Sequence, residues 1–305
     1  MKITIVGAGN VGASCASLLA QKNIVEEIVL LDIKEKISEG KSLDISQMLS
    51  VINSNTKVIG ITNDYLKSKN SEIIIVTCGI TRKPGMSRDD LVKINAEIIR
   101  SVIKESIFFS PKTKLIVVSN PLDIMTYVSY ITAKIDSSRI IGMAGILDTA
   151  RYRFFLSKKL NISPIDIQSL LLGGHGDTMV PLYRYTSVSG IPIKEFLSEE
   201  ENDVIIEKTK KGGEEIVNLL GTSAWMAPSA SVVQMVEGIL KDSKRIFSCS
   251  AFLKGEYGFK DICLGVPVIL GKNGIEKIVE LQLNQEENQI LKKSANYVKN
   301  MIKKL

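Results

Sequence analysis

Histidine is the scarcest chemically versatile residue in this sequence, since only one, His175, is present among 305 residues. Zinc sites that need several imidazoles, such as an HExxH helix or a three-histidine site, are therefore excluded. Cysteine is also rare, and its four positions are Cys15, Cys78, Cys249 and Cys263. These cysteines are widely spaced without a CxxC pair, so neither a thiolate metal site nor a secreted disulfide framework is indicated. We expect reduced thiols in a cytoplasmic protein, and no metal site.

Long apolar segments are also lacking, because no run approaches the roughly 18 residues that a membrane-spanning helix requires. Residues 3–6 are apolar and follow Lys2, but glycines and Asn10 interrupt the run, which predicts a strand rather than a signal peptide. The net charge of +6 comes from lysines spread along the chain, which does not indicate a basic surface for nucleic acid. We therefore expect neither a membrane nor a nucleic acid as partner.

Basic residues concentrate only at the C-terminus, from Lys292 to Lys304. Apolar residues recur there at helical spacing, at Leu291, Ala295, Val298 and Ile302. This spacing predicts an amphipathic terminal helix docked on the protein body. A helix lying on a membrane surface is the alternative interpretation.

Short β-branched runs alternate with longer helical patterns through the first half of the chain, at residues 3–6, 27–31, 57–61, 72–77, 114–119 and 139–141. Several runs are apolar on both alternating faces, which is typical of central strands in a parallel sheet covered by helices on both sides. A doubly wound α/β fold is predicted. After about residue 144 the pattern changes to a long helix at 147–160, a run at 165–172 and two extended helical patterns. We expect one domain at 1–144 and a second at 145–305.

A glycine-rich motif follows the first predicted strand and opens a helix: Gly7, Ala8, Gly9, Asn10, Val11 and Gly12. This is the setting in which GxGxxG predicts dinucleotide binding, because the helix N-terminus offers free N–H groups to a pyrophosphate. Asp32 lies 20 residues later at the end of the second strand, placed to bond a ribose 2′-hydroxyl. An acid there would repel a 2′-phosphate, so NAD is favoured over NADP as the cofactor.

Polar residues follow other strands of the predicted sheet. Arg82 and Arg88 lie in one Gly/Pro-containing stretch after the fourth strand, and Asn120 ends the fifth. Ligands of open α/β sheets bind beyond the carboxyl ends of the strands, and guanidinium groups are natural partners of carboxylates. Asp148 and Arg151 are three residues apart on a predicted helix and so share a face.

His175 is flanked by glycines in the segment GGHGD, which lets a substrate approach the imidazole. Histidine titrates near neutral pH, as an acid/base group requires. A structural histidine is the alternative interpretation of an isolated residue of this type.

Four segments in order carry a family resemblance: the glycine motif, residues 77–95 (TCGITRKPGMSRDDLVKIN), residues 142–153 (GMAGILDTARYR) and residues 173–181 (GGHGDTMVP). With the Ser119-Asn120-Pro121 tripeptide they resemble the lactate/malate dehydrogenase superfamily, most closely its lactate-dehydrogenase-like bacterial malate dehydrogenases. The resemblance covers essentially the whole chain. It implies an N-terminal Rossmann domain and a C-terminal α+β substrate and oligomerisation domain, in a homo-oligomer that is a dimer or tetramer.

The resemblance also implies a role for each matched residue. His175 would accept the proton of the substrate hydroxyl, and Asp148 would orient it. Arg151 would bind the substrate C1 carboxylate, while Arg88 on a mobile loop and Asn120 would contact the reacting oxygen. Arg82 would bind the second carboxylate of malate or oxaloacetate. The implied NAD site comprises residues 7–12, Asp32, Asn95, Val118, Ser119 and Asn120.

Three alternatives remain. A lactate or other 2-hydroxy-acid dehydrogenase is disfavoured by Arg82, because lactate dehydrogenases carry glutamine there. A catalytically silent NAD-binding regulator would not need His175, Asp148 and both Arg151 and Arg88. A short-chain dehydrogenase is suggested only by Tyr65 and Lys69, which form YxxxK, but the glycine spacing does not fit it.

Overall fold

Strands and helices alternate through the first 142 residues of the computed structural model, which describes residues 1–81 and 85–305. The strands are β1 (Lys2–Val6), β2 (Glu27–Asp32), β3 (Lys57–Thr62), β4 (Ile73–Val76), β5 (Lys114–Val117) and β6 (Ile140–Gly142). The helices are α1 (Asn10–Lys22), α2 (Ile37–Val51), α3 (Arg88–Phe109) and α4 (Leu122–Ala133). All six predicted strands are confirmed, and their ends differ from the prediction by no more than two residues.

The six strands form a parallel sheet in the order β3-β2-β1-β4-β5-β6. All four β4 side chains are fully buried, as the run of apolar residues on both faces predicts. β1 pairs with β2 on one side and with β4 on the other, so the chain changes direction across the sheet between these two neighbours. That change creates a crevice at the carboxyl ends of β1 and β4, where this fold class binds ligands.

The second half begins with α5 (Gly145–Leu160), which starts two residues before the predicted helix. The other helices are α6 (Glu199–Leu220), α7 (Met226–Leu240) and α8 (Gln285–Ile302). The strands are β7 (Ile167–Gln168), β8 (Leu171–Gly173), β9 (Met179–Pro181), β10 (Ser187–Val188), β11 (Ile191–Pro192), β12 (Arg245–Lys254), β13 (Lys260–Gly271) and β14 (Gly274–Ile278). The doubly wound N-terminal sheet and the mixed C-terminal half match the predicted fold class.

The sheet does not stop at β6, because Ser250 of β12 pairs antiparallel with Gly142. It continues as β12-β13-β8-β9, so strands of both halves lie in one sheet. The long strands β12 and β13 were not predicted. In β12, the buried residues Ser248 and Ser250 interrupt the apolar pattern by which a buried strand is recognised.

The C-terminal helix α8 docks on the protein body, as its spacing predicts. Leu291, Ala295 and Val298 are fully buried, whereas the lysines lie on the exposed face. Asn284 caps the N-terminus by accepting a hydrogen bond from the Glu287 amide at 2.8 Å. Among the described residues, no helix has the length and apolar content needed to cross a membrane.

Candidate active site

The glycine motif forms a tight turn between β1 and α1. Gly7 has φ +107°, and a Cβ there would lie 2.7 Å from Thr77 Oγ1. A Cβ on Gly12 would lie 1.8 Å from the Gly7 carbonyl oxygen, so only glycine allows this close approach of helix and strand. Gly9 has no atom within 4 Å of its Cβ position, and the helix has no side-chain cap. The first turn of α1 therefore presents backbone N–H groups without a side-chain cap to the crevice.

Asp32 lies directly beside this turn. Its Oδ2 accepts a hydrogen bond from the Ala8 amide at 2.6 Å, and its Oδ1 accepts one from the Lys34 amide at 2.9 Å. Lys41 Nζ donates to the Ala8 carbonyl at 2.8 Å, a contact that the sequence pattern did not predict. A carboxylate thus lies at the end of β2, adjoining the glycine turn.

A cavity of about 440 Å³ opens at the carboxyl ends of β4 and β5. It is lined by the predicted site residues Val11, Asn95, Val118, Ser119, Asn120, Arg151 and His175, together with Lys210, Gly213, Glu214 and Val217 of α6. The structure therefore brings predicted cofactor and substrate residues from both halves of the chain into one space.

His175 occupies the turn between β8 and β9, at the wall of this cavity. Its Nδ1 lies 2.9 Å from Asp148 Oδ2, and Asp148 is buried on α5. Burial opposes the charged imidazole, but the neighbouring Asp148 carboxylate outweighs it and raises the pKa of His175 above its usual 6.5. The pair has the geometry of an acid/base group whose ring is oriented by a carboxylate.

Arg151 lies one helical turn from Asp148. Its Nη1 is 3.6 Å from Asp148 Oδ1, an oxygen that accepts no hydrogen bond, and the arginine side chain is only 16% exposed. Burial lowers the pKa of Arg151, and the Asp148 carboxylate opposes that shift. A Cβ on Gly213 would lie 3.5 Å from the guanidinium, so the glycine of α6 leaves room beside it. This partly buried cation is placed to attract a carboxylate ligand.

Asn95 connects two loops at the cavity edge. Its Oδ1 accepts from the Ile80 amide at 2.8 Å, and its Nδ2 donates to the Asn120 carbonyl at 2.7 Å. Ser119 Oγ donates to the Cys78 carbonyl, and the Asn120–Pro121 bond is cis. The segments after β4 and β5 are thus held against each other by side-chain hydrogen bonds.

Arg88, one of the two arginines predicted in the segment after β4, does not line this cavity. Arg82 lies outside the described residues. Arg88 is the first residue of α3 rather than part of a loop, because Ser87 caps that helix by accepting from the Asp90 amide. The Arg88 side chain is 62% exposed, and its Nη1 lies 3.4 Å from Tyr297 Oη on α8.

Two family models match nearly the whole chain. The lactate/malate dehydrogenase NAD-binding domain matches residues 1–142, and the lactate/malate dehydrogenase alpha/beta C-terminal domain matches residues 146–305. A malate dehydrogenase from Cytophaga hutchinsonii is 54% identical over 302 residues, which cover 99% of this chain and 97% of that protein. The chain belongs to the lactate/malate dehydrogenase family. The resemblance inferred from the sequence motifs is confirmed.

Solved structures of family members have the same fold. The malate dehydrogenase of Salinibacter ruber matches this dehydrogenase with a TM-score of 0.95 at 45% identity, covering 100% of this chain and 97% of that chain. The Cryptosporidium parvum lactate dehydrogenase, solved with lactic acid and NAD, also gives 0.95, at 36% identity with 99% and 96% covered. Because both similarities have the same TM-score, the fold alone does not separate the two substrates, which depend on side chains in the site.

The dehydrogenase holds a further buried acid that the sequence pattern did not predict. Asp123 Oδ2 accepts from the His175 amide at 2.9 Å, and Oδ1 accepts from Ser250 Oγ at 2.6 Å. Burial raises the pKa of Asp123, while these two hydrogen bonds favour its charged form. An acid within the apolar run of α4 was the available signal, since buried carboxylates require partners.

The four cysteines are free thiols, and burial raises the pKa of Cys15 and of Cys78 to about 12. Within residues 1–81 and 85–305, no group of His, Cys, Asp and Glu has the arrangement of a metal site.

Proposed function

We propose that this protein is an NAD-dependent malate dehydrogenase that interconverts (S)-malate and oxaloacetate. The observation that carries the proposal is the His175–Asp148 pair, because His175 and the partly buried Arg151 line one cavity at the carboxyl ends of the parallel strands. The names of relatives that are about half identical over nearly their full length support the substrate.

The residues that would hold NAD fit that group. The N-terminus of α1, which has no side-chain cap, offers backbone amides to a pyrophosphate, and Asp32 offers a carboxylate to a ribose. Val118, Ser119 and Asn120 line the cavity beyond. Asn95 supports this site by joining the two flanking loops. Bound here, NAD⁺ would supply the acceptor for the hydride that leaves the hydroxyl-bearing carbon of malate.

Proton transfer is assigned to His175. In malate oxidation, neutral His175 takes the hydroxyl proton at Nε2, while Asp148 at Nδ1 fixes the tautomer and stabilises the imidazolium. In oxaloacetate reduction the imidazolium returns that proton. Arg151 binds the C1 carboxylate, Asn120 and Arg88 contact the reacting oxygen, and Arg88 must move from its exposed position to do so.

Selectivity for a dicarboxylate is assigned to Arg82. Pyruvate has no second carboxylate, so in a site closed from water it would leave this arginine without a partner. Leaving one partner of a buried ion pair alone costs about 3 to 5 kcal/mol, or roughly two to four orders of magnitude in rate ratio. This penalty disfavours the alternative of a lactate dehydrogenase.

Assays of NADH oxidation with oxaloacetate and with pyruvate, repeated with NADPH, test the proposal. We expect oxaloacetate and NADH to be the preferred pair, and Arg82→Gln to shift the kcat/KM ratio toward pyruvate. An unchanged ratio in that variant would refute Arg82 as the selective residue.

His175→Asn should abolish turnover while NADH still binds, and retained turnover would contradict the proton-transfer role.

We also propose that the chain acts as a cytoplasmic homo-oligomer, either a tetramer or a dimer, with an NAD-binding domain at 1–144 and a substrate and oligomerisation domain at 145–305. The boundaries of the two family models support the division. Four free thiols support a reducing compartment. A cavity of about 630 Å³ between α1, α5, α7 and β12, and exposed apolar side chains on α2, support association.

A further inference from the structure

The turn that carries His175 has two consecutive backbone amides bonded to side chains from distant parts of the chain. The His175 amide donates to Asp123 on α4, as described above. The Gly174 amide donates to Ser294 Oγ on α8 at 2.7 Å, and both groups are buried. Ser294 is 120 residues away in sequence, so the C-terminal helix contacts the turn directly.

Ser294 also packs closely against the turn. A Cβ on Gly173 would lie 3.0 Å from Ser294 Oγ, and one on Gly174 would lie 3.3 Å from it. Gly173 and Gly176 have φ values of +82° and +91°. Because glycines restrict the backbone little, the position of the turn depends on such external contacts.

The helix that carries Ser294 is itself anchored to the segment that follows β9. Arg184 Nε and Nη2 donate to the two carboxylate oxygens of Glu287 at 3.1 and 2.7 Å. Arg184 Nη2 also donates to the Gln282 carbonyl at 2.9 Å. Paired bonds of this kind fix orientation as well as distance. The first turn of α8 is therefore held to the segment that directly follows the hairpin whose turn Ser294 contacts.

We propose that Ser294 is a positioning residue, which sets the place of the His175 imidazole against Asp148 by accepting the Gly174 amide hydrogen bond. The inference rests on the proposed proton-transfer role of His175. Without the hydroxyl, a buried N–H loses its acceptor, and the turn shifts to find another. A displacement of about 1 Å at a reacting group can reduce the rate about 100-fold.

Ser294→Ala tests the proposal, with Val298→Ala as the matched control on the buried face of the same helix. For Ser294→Ala we expect kcat for oxaloacetate reduction to fall about 10- to 100-fold with KM for NADH unchanged. Val298→Ala removes packing but keeps the hydroxyl, so it should lower the melting temperature and leave kcat unchanged. An equal loss of kcat in both variants, or none in Ser294→Ala, would overturn the proposal.

The imidazole itself provides a second measurement, because one histidine gives one NMR titration curve. The charged groups facing it are Asp148 and Arg151 from α5 and Asp123 from α4. If the Asp148 contact lengthens in Ser294→Ala, the His175 titration midpoint should move down toward 6.5, its usual value. An unmoved midpoint would contradict the positioning role.

The two variants distinguish failure of the proposed proton-transfer role from failure of the positioning role. If His175→Asn keeps its turnover, the proton-transfer role fails, whatever Ser294→Ala does. If His175→Asn is inactive while Ser294→Ala retains kcat and the wild-type titration curve, only the positioning role fails.

Discussion

The charge of His175 depends on opposing neighbours. Burial and the Arg151 guanidinium disfavour the imidazolium, whereas the carboxylates of Asp148 and Asp123 favour it and raise the pKa above 6.5. Because the folded-state pKa is raised, protonated His175 stabilises the fold below pH about 6.5, and this contribution is lost as pH rises through the folded-state pKa. In the proposed reduction of oxaloacetate the imidazolium donates the proton, so activity should be lost over the same pH range.

Asp148→Asn should lower the pKa of His175 and reduce oxaloacetate turnover at pH 7 by about 100-fold or more, since correctly poised acid/base groups contribute 10²–10⁴. The pH above which kcat/KM falls should be lower in this variant than in the wild type. Asp166→Asn removes an exposed acid elsewhere and should change neither quantity. A profile for Asp148→Asn that superimposes on the wild type would contradict the role given to this carboxylate.

At the scale of elements, Gly12 and Gly9 have different roles in the turn between β1 and α1. Gly12 has no room for a Cβ, whereas Gly9 has space around it and φ −66°, which any residue can adopt. Gly12→Ala should therefore lower the free energy of unfolding by about 1 to 3 kcal/mol. Urea unfolding without cofactor measures this effect.

Gly9→Ala provides the matched comparison. It should leave the free energy of unfolding unchanged but weaken NADH binding about tenfold, because a methyl group blocks the approach of a pyrophosphate to the backbone. NADH fluorescence titration measures the affinity. Tight NADH binding by Gly9→Ala would show that the pyrophosphate does not approach this turn.

Sequence patterns predicted the elements that repeat a simple period. The strands of the parallel sheet and the docked face of α8 follow from runs and spacings alone. The contacts of Asp123 and Ser294 with the His175 turn could not be predicted, because they join residues 52 and 120 positions apart. The pairing of β12 with β6 was missed for the same reason, since serines in that strand are satisfied only by partners distant in sequence.

In the candidate site, too, features that follow from local sequence patterns were predicted, and contacts between distant elements were not. Helical spacing predicted that Asp148 and Arg151 share one face of a helix, and their side chains lie 3.6 Å apart on α5. The space that Gly213 leaves beside Arg151 depends on how α6 packs against α5, which no local pattern encodes. The contact of Arg88 with Tyr297 of α8 likewise joins residues 209 positions apart.

At the scale of the whole molecule, the proposed oligomer can be tested at the exposed apolar side chains of α2. Leu43 is 61% exposed and Val51 is 80% exposed. We expect light scattering to give two or four times the mass of one chain, and Leu43→Glu to shift the population toward smaller species. Phe108→Glu, at an exposed site on α3, should not. A wild-type monomer would contradict the proposed oligomer.

The whole molecule contains a single imidazole, so proton transfer by His175 can be tested by NMR without assigning the histidine signal to a residue. The measurement is the pKa of His175 by NMR in the NADH complex, compared with the pKa in the pH profile of kcat/KM for oxaloacetate at saturating NADH. The two values should coincide above 6.5, with activity lost as pH rises through them. A rate that stays constant through the NMR titration would contradict proton transfer by His175.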